Sequence, residues 1–163
     1  VSFVFKKGEA MTDWRNEVEA LTLEGQIKMP YTWSVGETGS RFLIALRDEK
    51  KILANRCPQC GTVYVPPRKN CGHCFVDIGA DDWLELGNEG TVTSFTIVRY
   101  AYPLQPVAPP FAYAIIQLDG TDVGFVHIIK EGWERLQNAS RVRARFKDER
   151  GGRILDIDGF EVV

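Results

Sequence analysis

The sequence predicts a mainly β protein with short N-terminal helices, a four-cysteine zinc ribbon and a five-stranded barrel of the OB type. Three observations point there. Four cysteines fall as two Cys-x2-Cys pairs between positions 57 and 74. After position 90 the chain becomes a series of Val/Ile/Phe/Thr-rich runs separated by turn residues. Before the cysteines, apolar residues recur at helical rather than strand spacing. The expected division is a helical extension over 1–48, a ribbon over 49–83 and the barrel over 84–163.

Trp14, Val18 and Leu21 are spaced four then three, with Thr12 or Asp13 to cap the first turn and Gly25 to end the last, which predicts an amphipathic helix. Pro30, Gly36 and Gly39 interrupt the chain. A second short helix is expected after Ser40, through Phe42, Leu43, Ala45 and Leu46, ending in the charged run Arg47 to Lys51. Two helices this short bury little by themselves, so Trp14, Tyr31 and Trp33 are candidate anchors for a second chain. Lys6-Lys7-Gly8-Glu9 ahead of Met11 has the coding pattern of a ribosome-binding stretch, and a start at Met11 is weighed equally with an N-terminal strand Phe3-Val4-Phe5.

Cys57-Pro58-Gln59-Cys60-Gly61 and Cys71-Gly72-His73-Cys74 each present two thiolates from a tight turn. Four thiolates complete a closed tetrahedral zinc site with no position for water, which stabilises a fold and does not activate a substrate. Iron also accepts such a site and is the second choice. His73 is expected to face solvent, and Val63, Tyr64 and Val65 to pad the ribbon against the barrel.

Strands are expected over Thr91 to Tyr100, Ala112 to Leu118, Val123 to Lys130, Arg141 to Lys147 and Ile154 to Val163, with a helical turn or two in Glu131 to Asn138. Five strands with a helical insertion between the third and fourth follow the plan of a Greek-key OB barrel.

Composition narrows the function. Twenty Lys and Arg against 22 Asp and Glu give a formal charge of −2, which argues against a nucleic-acid partner. Nothing resembles a membrane span or a secretory signal, so a cytoplasmic location is expected. With two histidines, His73 and His127, and every cysteine assigned to metal, the means for acid–base or nucleophilic catalysis are thin. His127 is expected as a partly buried, satisfied imidazole on its strand.

The cysteine knuckles, Val65-Pro66-Pro67-Arg68, Gly90-Thr91-Val92-Thr93-Ser94-Phe95-Thr96 and Ala114-Ile115-Ile116-Gln117-Leu118-Asp119-Gly120 together resemble a family of small proteins encoded beside thiolases and other acyl-coenzyme A enzymes. The resemblance extends over nearly the whole chain from Trp14. It implies an N-terminal helical hairpin, a rubredoxin-like zinc ribbon and a C-terminal OB-fold. It further implies a non-catalytic subunit that docks on a thiolase-type enzyme in a hetero-oligomer and shapes the entrance for an acyl-coenzyme A substrate. Pro30 to Gly36 and Arg41-Phe42-Leu43 resemble the subfamily attached to degradative thiolases, including those of aromatic breakdown. One departure is Asn138-Ala139-Ser140, where the family usually has Gly-Met before the fourth strand.

Two further features are candidate contacts. Arg141, Arg143 and Arg145 share one face of a strand and read either as a phosphate-attracting stripe for coenzyme A or as a solvated edge that discourages aggregation. The stretch from Tyr100 to Phe111 carries four prolines among large apolar side chains. It reads either as a loop presenting Tyr102 and Phe111 to a partner or acyl group, or as one folded over the barrel end. A nucleic-acid-binding zinc-ribbon and OB-fold module is the alternative function, since both folds can bind RNA or single-stranded DNA.

Overall fold

A computed structural model describes residues 21, 22, 25 and 29–163. The expected first helix, Trp14 and the Met11 start lie outside the described residues. Leu21 to Trp33 and Ser34–Val163 fall in separate units, and the second carries the fold.

Helix α1 spans Gly36–Ile44 and continues as a π-helical turn over Ala45–Glu49. It begins before the expected Ser40. Ser34 Oγ accepts the Gly36 N–H at 3.2 Å and Ser40 Oγ donates to the Gly36 carbonyl at 2.6 Å, while Gly36 takes φ 73°, a conformation glycine adopts without strain. Phe42, Ala45 and Leu46 form the buried face. Lys50 ends the helix in the left-handed conformation, φ 57°.

The ribbon is a three-stranded antiparallel sheet in the order β2-β1-β3, with β1 at Ile52–Arg56, β2 at Val63–Tyr64 and β3 at Trp83–Leu86. Five further strands close into a barrel in the order β4-β5-β6-β8-β7. They are β4 Glu89–Val98, β5 Phe111–Leu118, β6 Phe125–Glu131, β7 Arg141–Phe146 and β8 Ile157–Val162. The β6–β8 pairing is parallel and the others are antiparallel. Closure depends on the short β4–β7 seam, Glu89 to Thr91 against Arg141 to Arg143. A single 3-10 turn, Trp133–Arg135, fills the expected insertion between β6 and β7.

Two local corrections concern strand limits. The last strand starts at Ile157 rather than Ile154, because the Asp156 carboxylate gathers the N–H groups of Gly151, Gly152 and Arg153 at 2.7–3.0 Å into a tight turn. Burial raises the pKa of Asp156, but those three donors outweigh it and hold the carboxyl below its ordinary value. Nor is β7 an exposed edge, since it pairs with β4 on one side and β8 on the other.

The turn at Asn138-Ala139-Ser140 keeps its place without glycine. Ala139 takes φ 68°, its N–H bonds the Val92 carbonyl at 2.8 Å, and Val92 returns the bond to Ser140 at 2.9 Å.

Ribbon and barrel share one core. Phe42 and Leu46 of the helix, with Ile52, Ala54, Val63 and Val65 of the ribbon, belong to the same buried cluster as Val92, Ile116, Phe125 and Phe160 of the barrel. Val63 and Val65 thus provide the expected padding. Asp122, in the β5–β6 connection, adds a polar tie by accepting the Val63 N–H at 2.8 Å and donating its own N–H to the Val63 carbonyl at 3.2 Å.

Candidate metal centre and docking surface

The turns on either side of β2 bring Cys57, Cys60, Cys71 and Cys74 together, with all four sulfurs within 4.8 Å of one another. Cys60 and Cys71 Sγ are 3.7 Å apart, close to the roughly 3.8 Å edge of a tetrahedron with zinc–sulfur bonds of about 2.3 Å. Backbone N–H groups point at the sulfurs, as Cys60 does toward Cys57 at 3.4 Å and Cys74 toward Cys71 at 3.3 Å. Cys57 and Cys71 are buried while Cys60 is exposed.

Two residues set beside the sulfurs were not singled out as site residues from sequence. Tyr64 Oη lies 3.2 Å from Cys71 Sγ and accepts the Gly72 N–H at 3.2 Å. Thr62 Oγ1 lies 3.2 Å from Cys60 Sγ. The Tyr64 hydroxyl, followed by the Cys74 N–H, holds the Cys71 thiol down at about 5, whereas the hydrogen bond to Cys60, then burial, push Cys74 up to about 12. Four sulfurs this close cannot all ionise without a cation between them. The donor set fits a structural zinc, with every sulfur committed and no open position. His73 is exposed, as expected.

The two histidines lie apart from one another: His73 is on the second knuckle and His127 is on β6. His127 is 4% exposed, stacked on Phe125 and edge-on to Phe160. Its Nε2 is 3.4 Å from the Ile154 carbonyl, but Nδ1 has no partner, so the expected satisfied imidazole is only half satisfied. Burial lowers its pKa.

The remaining predicted contacts separate. Phe111 opens β5 at 1% exposure, its ring edge-on to Tyr113, so it is a core residue and cannot be presented by the loop. Alternation along β5 turns it inward. Tyr102 does project, 62% exposed, beside exposed Tyr100 and Leu104. Gln105 orders this loop, accepting the Tyr102 N–H at 2.9 Å and donating to the carbonyl of Tyr100 at 3.1 Å. Trp33 is 70% exposed and Tyr31 is also exposed.

The arginine stripe is already occupied. Arg141 grips Asp119 with two bonds of 2.7 Å and reaches Glu89 at 3.2 Å; Arg143 bonds Glu89 at 2.7 Å and Arg145 bonds Glu161 at 2.8 Å. Cross-strand carboxylates that no local pattern reveals thus supply the counter-charge along the stripe. No described helix is long and apolar enough to cross a membrane.

Comparison with known proteins agrees with this architecture. Residues 45–78 match the family model for the ChsH2 rubredoxin-like zinc ribbon domain, and residues 83–147 that for the ChsH2 C-terminal OB-fold domain. A DUF35 domain-containing scaffold protein of Methanocaldococcus jannaschii is 28% identical over 74 residues, or 45% of this chain and 52% of the relative. The chain therefore matches about half the length of that curated relative. A crystal structure of a DUF35-family protein of unknown function from Sulfolobus solfataricus superimposes with a TM-score of 0.59 at 24% identity, covering 79% of this chain and 85% of the other. A chain of the Ltp2-ChsH2(DUF35) aldolase gives 0.58 at 18% identity, covering 80% and 98%. At these identities the two structures share the fold.

Proposed function

The chain carries the two ChsH2 family domains, a zinc ribbon and an OB-fold, and on that premise we propose that it is a non-catalytic accessory subunit that docks on a thiolase-type enzyme and shapes its acyl-coenzyme A binding region. The observation that carries this reading is the division of the chain's resources. Every cysteine converges on one closed cluster, while large apolar side chains at Trp33, Tyr102 and Leu104 stand in solvent. A thiolase needs a cysteine nucleophile and a base; these belong to the partner, and this chain contributes surface. The finer assignment, to degradative acyl-coenzyme A metabolism of aromatic compounds and the kind of small subunit that serves a benzylsuccinyl-coenzyme A thiolase, rests on the resemblance of residues 30–43. Internal pairing of Arg141, Arg143 and Arg145 weighs against the nucleic-acid alternative.

Co-purification from the native host, with identification of the bound chain, tests the docking. The isolated chain is expected to show no thiolysis of any acyl-coenzyme A. Trp33→Ala should weaken assembly, whereas Tyr102→Ala should leave the complex intact and raise KM or lower kcat for bulky acyl groups. Thiolytic turnover by the chain alone, abolished by changing one of its own residues, would sink the proposal.

A further inference from the structure

The two cysteine knuckles share a backbone plan and differ in what they project. In each, the residue after the second cysteine donates its N–H to the carbonyl of the first, Gly61 to Cys57 at 2.9 Å and Phe75 to Cys71 at 3.0 Å. Both residues adopt the left-handed conformation, with φ 77° at Gly61 and 60° at Phe75. Glycine does so freely, but a residue with a Cβ meets its own carbonyl oxygen there. Phe75 receives no packing in return from the described chain, for its side chain is 83% exposed. The second knuckle therefore holds a large aromatic in water, in a strained conformation, where glycine would serve the turn better. Strain retained without internal compensation marks a position held for another purpose.

The base beneath the ring is rigid, because zinc bound to Cys71 and Cys74 would fix the turn on both sides of it. Next to this knuckle, Arg68 stacks 5.1 Å from the Tyr64 ring, and its guanidinium reaches 3.0 Å from where a Cβ on Gly72 would lie. Unlike Arg141, Arg143 and Arg145, it meets no carboxylate among the described residues. An exposed aromatic on a knuckle that an unneutralised guanidinium also approaches at Gly72 has the makeup of a protein-interface anchor.

We infer that Phe75 is an anchor that enters an apolar pocket, edged by a carboxylate, on the partner enzyme subunit. The inference rests on the docking proposed above and names the contact this chain makes in it.

Phe75→Gly separates the alternatives, since it removes the ring and relieves the backbone together. The full zinc-loaded chain and its variants are titrated calorimetrically against the thiolase-type subunit from the same host, with zinc content and Tm measured on each. Phe75→Gly should keep its zinc, melt at the same temperature or higher, and bind with Kd raised about tenfold or more. Phe75→Tyr should restore most of the affinity, and Arg68→Gln should raise Kd severalfold at unchanged Tm. Unchanged Kd in Phe75→Gly, while the wild-type chain binds, overturns the inference and leaves the docking standing; absence of wild-type binding overturns both. A fall in Tm accompanying the loss of affinity would also overturn it, because the ring would then be packing within its own chain.

Discussion

Removal of zinc should unfold the knuckles while leaving the barrel native, and the structure sets the scale. Among the described residues, the satellite core around the cysteines contains Tyr64 and Ile78 as its only other buried apolar side chains. Each contributes about 1.5–3 kcal/mol of burial, hence about 3–6 kcal/mol together. Ordering the ten residues of Cys57 to Gly61 and Cys71 to Phe75 costs about 1–2 kcal/mol each, roughly 10–20 kcal/mol. The shortfall is on the order of 10 kcal/mol, the same size as the ~10–16 kcal/mol that zinc supplies to four-ligand finger sites. The barrel draws on a separate and larger cluster, so it should survive chelation. Hydrogen exchange reads the two regions independently. On chelation, or in Cys60→Ser, the Gly61 and Phe75 amides should lose protection, whereas those of Ala112 and Ala114 on β5 should keep theirs. Cys60 is exposed, so its replacement by serine opens no cavity and reports on the metal alone. Persistent protection at Gly61 and Phe75 in zinc-free protein would refute the reasoning.

Three further outcomes follow from single contacts. His127 is buried with its pKa lowered from the ordinary 6.5, so below that pH the unfolded chain binds a proton that the folded chain resists. Stability should be flat above about pH 6.5 and fall as pH drops through and below it; His127→Phe should flatten that limb in denaturant titrations run across the range. Gly90→Ala places a Cβ 2.7 Å from the Gln117 carbonyl oxygen and 3.0 Å from Leu118 Cα, both backbone, and should cost about 1–3 kcal/mol by urea unfolding. Asp122→Ala removes the acceptor for the Val63 N–H and should cost about 1 kcal/mol, a fall in Tm of roughly 2–4 °C, with Asp122→Asn retaining most of the stability.

The cysteine cluster and the five barrel strands were legible because their signals are local. Cys-x2-Cys spacing confines two sulfurs to one turn, and a run such as Ala112 to Leu118 alternates plainly. The misreadings arise where a distant partner decides. The arginines of β7 were read either as a phosphate-attracting stripe or as a solvated edge, and neither reading revealed their pairing, because Glu89, Asp119 and Glu161 reach them only after the barrel closes. Phe111 looked like the end of a loop because its inward direction depends on where β5 begins. The start of β8 was missed because nothing in Gly151 to Asp156 announces that one carboxylate will collect three amides. Helix α1 begins early because Gly36, which looked like an interruption, supplies the positive-φ entry to its first turn. Phe75 left a readable trace, since Gly61 stands in the matching place of the first knuckle.

The ionic contacts of Arg141 and Arg143 lie on the seam by which the barrel becomes a ring. Three residue pairs join β4 to β7 there and two join β6 to β8, against eight between β4 and β5 and five between β7 and β8. Mechanically this is a split ring with an ionic clasp. If the ring springs open, β7 and β8 should swing out together, because their mutual pairing is longer than the one released. Exposed ion pairs contribute little each and are screened by salt, so the frequency of that opening should rise with ionic strength even where global stability hardly changes. A charged surface lying against Glu89 and Asp119 would act on the same clasp, giving a bound partner a direct influence on how often the barrel breathes.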